Sequence, residues 1–173
     1  MQFNYRDSFP VGFDDFSRVW IYQSSRLFTL QEAFQIEDML KAFVASWNSH
    51  GVPVKGFANL FFGHFIVLMA DERSSQVSGC STDSSVHLIK EIEKRFAVQL
   101  FDRQLLAFYI NDKVQILPMS QLASGISQRL VLPETLYFNN TVLTKKELEN
   151  NWIIPLKDSW LAGRIPITQQ VPS

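Results

Sequence analysis

Asn59-Leu60-Phe61-Phe62-Gly63-His64-Phe65-Ile66-Val67-Leu68-Met69-Ala70 holds the longest apolar stretch of the chain, Phe65 to Ala70. Gly63 divides the segment into two predicted strands within residues 56–71. The second strand shows no alternation of apolar and polar residues. A strand of that kind is covered on both faces, whereas a half-exposed strand alternates with period two. A central strand is therefore the expectation here, and the rest of the fold is read outward from it.

On its N-terminal side, Arg18-Val19-Trp20-Ile21-Tyr22-Gln23-Ser24 is β-branched and aromatic and reads as a strand. Thr29 and Glu32 form a capping box, in which a hydroxyl and a carboxylate satisfy orphan backbone N–H groups. Leu30, Phe34, Leu40, Phe43, Val44 and Trp47 follow at helical spacing, which predicts a helix over residues 30–49 ended by Gly51. On the C-terminal side, residues 72–83 are polar. Ser84 to Val98 then reads as a helix with Ser85, Leu88, Ile89, Ile92 and Phe96 on one face and His87, Lys90, Glu91 and Lys94 on the other. Leu105–Ile110 and Val114–Leu117 flank Asn111-Asp112, a hairpin turn. A short helix is expected after Ser120, and Thr144 with Glu147 suggests another capping box.

The order β-α-β-β-α-β-β predicts an α+β fold on the ferredoxin-like split β-α-β plan, an antiparallel sheet with two main helices on one face. The expected organisation is a single domain, residues 1–173: an arm at 1–17, a core at 18–117 and a C-terminal extension at 118–173. In the first strand Val19 and Ile21 alternate with Trp20 and Tyr22, so both faces are apolar and the second needs a cover. An arm carrying Phe3, Tyr5, Phe9, Phe13 and Phe16 and a tail carrying Trp152 and Trp160 are candidates. A homodimer through the sheet is the third, and the one favoured by so apolar a chain.

Of 173 residues, 46% are hydrophobic and 19% charged, and 15 are Phe, an ordinary globular composition with aromatic weight. The net charge is −1 with both signs scattered, so no basic stripe exists to hold nucleic acid. Phe65–Ala70 is too short to span a membrane. The N-terminal residues show no apolar run of a signal peptide. Cys80 is the single cysteine, which excludes an internal disulfide and a cysteine-rich metal site and suits the reducing cytoplasm. No pair of His50, His64 and His87 has close ligand spacing, and no cofactor is implied.

The richest segment chemically is Ser78-Gly79-Cys80-Ser81-Thr82-Asp83-Ser84, just before the second helix. Three readings stand. Its hydroxyls and Asp83 cap their own helix. Alternatively the N–H groups of Asp83 to Val86 and the positive helix end receive a small anionic ligand. In the third reading Cys80 is an activated thiolate and the catalytic candidate of a thiol-dependent enzyme. Asp71-Glu72, which follows the central strand, reads as a solvated turn. The split β-α-β plan pairs the first and third strands antiparallel, which keeps Arg26 away from Asp71.

Several of these segments together resemble a family of small bacterial proteins, many of which carry an automatic ABC transporter ATPase label. The resemblance rests on Val19-Trp20-Ile21-Tyr22-Gln23-Ser24 with Arg26 and Phe28, on Trp47 with His50-Gly51, and on Phe65-Ile66-Val67-Leu68 with Asp71. Gly79-Cys80-Ser81-Thr82-Asp83, Ser85-Val86-His87, Phe138-Asn139-Asn140 and Trp152 with Pro155, Ser159 and Trp160 complete it. It covers nearly the whole chain but implies no activity, since the family has none established. The label conflicts with the residues. ATP hydrolysis on a phosphate loop needs Gly-x-x-x-x-Gly-Lys-Ser/Thr, and the sequence has no such segment. The expected function is therefore binding of a small ligand or a protein without nucleotide hydrolysis, with a thiol enzyme or a structural homodimer as the alternatives.

Overall fold

A computed structural model describes residues 4–74 and 76–166, except for the side chain of Cys80. In chain order the elements are β1 (Arg18–Gln23), α1 (Leu30–Ser46), β2 (Asn48–Ser49), β3 (Val52–Pro53), β4 (Lys55–Phe61), β5 (Phe65–Asp71) and α2 (Gly79–Phe96). There follow β6 (Leu105–Ile110), β7 (Lys113–Pro118), α3 (Leu122–Ser127), β8 (Leu136–Phe138), α4 (Lys145–Asn151) and β9 (Ile153–Pro155). The α+β class holds, with antiparallel sheets throughout. The described residues of Met1–Phe101 and Val142–Glu149 form one compact unit, and those of Asp102–Thr141 and Asn150–Ser173 form a second. The division thus falls after Phe101 rather than at the expected core boundary of 117.

In the first unit the sheet order is β1-β5-β4. The doubly apolar strand is central, as its sequence requires, and Phe65 to Ala70 are fully buried. Ile66 and Leu68 face the helices, where they cluster with Ile36 and Leu40 of α1 and Ile89 and Ile92 of α2. The predicted apolar face of α2 is the buried one. On α1 the stripe is displaced: Ile36 and Leu40 are buried, while Leu30 and Phe34 are exposed. Thr29 and Glu32 form the expected capping box.

The fourth strand expected on the split β-α-β plan does not join this sheet. Leu105–Ile110 pairs with β7 and β8 in the second unit. At the outer edge of β1, Leu143 O accepts the Val19 N–H at 2.9 Å and Thr144 bridges Arg18. Period-two patterning marks a strand without naming its partner, so the pairing of this strand is not set by its own sequence.

The other sheet face carries Phe65 and its cross-strand neighbour Phe61. The arm lies here. Tyr5 and Phe9 are buried, with Phe9 5.6 Å from the Phe61 ring and Tyr5 6.3 Å from Phe62. Arg6 Nε donates to Glu149 O at 2.7 Å. Phe16 is exposed, so the arm covers the sheet through part of its aromatics, and Phe3 lies outside the described residues.

Positive φ was legible at Gly51, but its role was not. α1 ends at Ser46, and His50 (φ 50°) with Gly51 (φ 80°) turns β2 into β3. Asn111 (φ 51°) and Asp112 (φ 60°) make the expected turn between β6 and β7. The second unit has sheet order β7-β6-β8-β9 and a core of Leu106, Phe108, Leu122, Ile126 and Leu156. The expected short helix is α3. Trp152 is fully buried there, its Nε1 donating to Asn140 Oδ1 at 3.0 Å. Trp160 is half exposed, and its Nε1 donates to Tyr137 OH at 3.2 Å.

Candidate functional site

Helix α2 begins at Gly79, five residues before the expected Ser84, and its cap is Ser78 rather than Thr82 or Asp83. Ser78 is extended (φ −82°, ψ 170°), and its Oγ accepts the Ser81 N–H at 3.4 Å. The other hydroxyls turn inward. Ser81 Oγ and Thr82 Oγ1 donate to Ser78 O at 2.9 and 3.1 Å. Ser84 Oγ donates to Ser81 O at 2.8 Å, and Ser85 Oγ to Thr82 O at 2.7 Å. A hydroxyl that bonds its own helix satisfies it locally, so a serine-rich run continues as helix instead of loop. The N–H groups of Asp83 to Val86, expected to face an anion, are therefore inside the helix. Cys80 is its second residue, one turn before Ser84, and its side chain lies outside the described residues.

The start of α2 is anchored to the end of α1. Trp47 is buried, as its place on the apolar face implied, and its Nε1 donates to Ser81 O at 3.0 Å. Ser78 N–H donates to Ser49 Oγ of β2 at 3.2 Å. Gly56 is required beside this tryptophan, since a Cβ there would stand 2.6 Å from the Trp47 ring.

Beside this anchor, α1 and α2 line an open groove of about 500 Å³. Helix α1 contributes Met39, Ala42, Phe43 and Ser46, and α2 contributes Ser84, His87, Leu88 and Glu91. A smaller cavity of about 230 Å³ shares Phe43, Ser46 and Ser84 and extends to Trp47, Asn48 and His50. Of the described residues singled out from the sequence segment, Ser84 lines both cavities. His87 is exposed, as its helical position predicted, yet the exposed face is a wall of the groove. Met39, Ala42, Ser46 and Glu91 were not anticipated. The available signal was Ala42 and Ser46, two small residues one turn apart where larger side chains would close a helix pair.

The other candidates disperse. His64 is buried, its Nδ1 3.2 Å from Phe62 O, and burial pushes its imidazole below the usual pKa and holds it neutral. His50 sits in the β2–β3 turn rather than at a helix end. Among the described residues no group of His, Cys, Asp and Glu converges in a metal-binding cluster. No helix among them is long and apolar enough to cross a membrane.

Asp71 is not in a solvated turn: its side chain is 2% exposed. Arg73 Nε donates to Asp71 Oδ1 at 3.0 Å, Lys55 Nζ to Oδ2 at 3.2 Å and the Asp14 N–H to Oδ2 at 3.3 Å. Those bonds, led by Arg73, hold its carboxyl well below the usual carboxylate range despite burial. Arg73 Nη2 and Lys55 Nζ also donate to Gly12 O at 2.6 and 3.0 Å, so this knot ties the arm to the sheet. Arg26 pairs elsewhere, with Glu32 at 2.8 Å, apart from Asp71 as the antiparallel pairing of β1 and β5 requires.

With knot and caps accounted for as structure, the α1–α2 groove is the larger of these two cavities among the described residues, and it offers both apolar and polar groups. No protein-family model matches the chain, and neither curated proteins nor solved structures match it significantly.

Proposed function

We propose that this chain is a ligand-binding protein whose site is the groove between α1 and α2, and that it hydrolyses no nucleotide. The observation carrying the reading is the groove's composition. Met39, Phe43 and Leu88 give an apolar floor, while Ser46, Ser84, His87 and Glu91 add a small set of polar groups. Small-molecule sites have this character, apolar area for affinity and a few polar groups for orientation. The groove is built on two helices anchored by Trp47 and Ser78, so it is formed before any ligand arrives. The resemblance to the small bacterial family is compatible with this role, and the missing phosphate loop is the reason for setting aside its ATPase label. The cytoplasm is the proposed location, on the grounds of the lone cysteine. A monomer is proposed in place of the sheet dimer, because β5 is buried on both faces.

Fragment mapping by amide chemical shifts tests the reading. Fragments that bind are expected to move the amides of Ala42, Ser46, Ser84 and Leu88 together. A screen whose hits all cluster elsewhere would refute the assignment.

A further inference from the structure

Hydrogen-bond polarity in the groove selects a class of ligand. Ser46 Oγ donates to Ala42 O at 3.1 Å and lies 3.3 Å from Phe43 O, and Ser84 Oγ donates to Ser81 O at 2.8 Å. Both hydroxyl protons are thus turned into the helices that carry them, which leaves each oxygen with lone pairs for an incoming donor. Glu91 adds a carboxylate that takes part in none of the ion pairs among the described residues. His87, one helical turn before Glu91, is the one ring that can either donate or accept. Neither lysine nor arginine lines the groove among the described residues. The groove is thus rich in acceptors, carries one carboxylate and has an apolar wall of Met39, Phe43 and Leu88.

We propose that the groove binds a small organic ammonium ion on an aromatic or apolar body, with the N–H donors directed at Glu91 and the serine oxygens and the body laid against Phe43 and Leu88. This rests on the groove being the ligand site. An ammonium group fits on two counts. It brings up to three donors and no acceptor to a site that offers acceptors. It also gains from a carboxylate and from a nearby aromatic ring, both attractive to a cation. An anionic ligand would face Glu91, and the nearest fixed cation, Arg95, is held at the end of the groove on Met39 Sδ at 4.0 Å and Gln35 Oε1 at 3.4 Å rather than in its lining.

Titration of the full-length, ¹⁵N-labelled protein at pH 7 with phenethylamine, 2-phenylethanol and 3-phenylpropionate tests the proposal, since the three share one ring and differ in charge. Phenethylamine is expected to shift Ala42, Ser46, Ser84 and Leu88 and to bind on the order of tenfold tighter than the alcohol. Glu91→Gln, an exposed change checked by its unperturbed spectrum, is expected to erase that preference. Equal affinities for all three, a preference for the acid, or a preference for the amine that survives Glu91→Gln would overturn the ammonium assignment while leaving the groove as a site. No shift in the groove with any of them would overturn both.

Discussion

Two carboxylates, one read from sequence as part of a solvated turn and one as part of a helix cap, tie separate elements of the first unit to one another. Asp71 closes β5 and collects donors from Arg73, Lys55 and the Asp14 backbone. Glu32 accepts the Thr29 N–H at 2.8 Å and pairs with both guanidinium nitrogens of Arg26, which itself donates to Phe96 O at the end of α2 at 2.6 Å. Glu32 is thereby lowered to about 2, chiefly by Arg26. Both carboxyls have folded values below their unfolded ones. Their contribution to stability is therefore complete above roughly pH 5 and is lost as pH falls through the unfolded value of about 4 towards the folded one. Asp71→Asn is expected to destabilise the protein by roughly 1.5–3 kcal/mol at pH 7. In urea melts that deficit should shrink between pH 5 and pH 3, and a deficit independent of pH would contradict the account. The role of Asp71 is not legible in sequence. The donors come from Asp14, Lys55 and Arg73, which only the fold assembles, whereas the Thr29–Glu32 box is local and could be read directly.

Elements show the same division between local and distant information. The central position of β5 follows from its own residues, because six consecutive positions without polar relief, Phe65 to Ala70, can be buried only between two layers. The start of α2 does not follow, since serine and threonine favour caps and loops until their hydroxyls find carbonyls one turn back. The partner of β6 depends on geometry far from its own sequence. For the arm, aromatic content gave its destination but not which rings are used. Deleting residues 1–16 should remove the buried Tyr5 and Phe9 and three ties to the Asp71 knot. A loss of about 3 kcal/mol or more is expected from that burial alone. Phe16→Ser, at a ring 75% exposed, should change stability by less than about 0.5 kcal/mol. Equal effects of the two changes on the melting temperature would show that the arm does not cover the sheet as described.

At the scale of the molecule, the sequence supports the α+β class and the central place of β5, while the second unit was hidden inside an expected core and extension. The groove itself was half legible: Ser84 and His87 were singled out or placed correctly, but the opposing wall on α1 was read as a plain amphipathic face. A chain that binds through such a groove and lacks a phosphate loop should show no magnesium-dependent ATP turnover. Turnover by the purified protein that a point change in this chain abolishes would contradict that. The most direct test of the groove as the ligand site is to fill it. Ala42→Trp places an indole at an exposed position of the α1 wall and leaves the buried core untouched. The account predicts a melting temperature close to that of the parent protein and the disappearance of ligand-induced amide shifts at Ser46, Ser84 and Leu88. Shifts of undiminished size in the folded Ala42→Trp protein would contradict it.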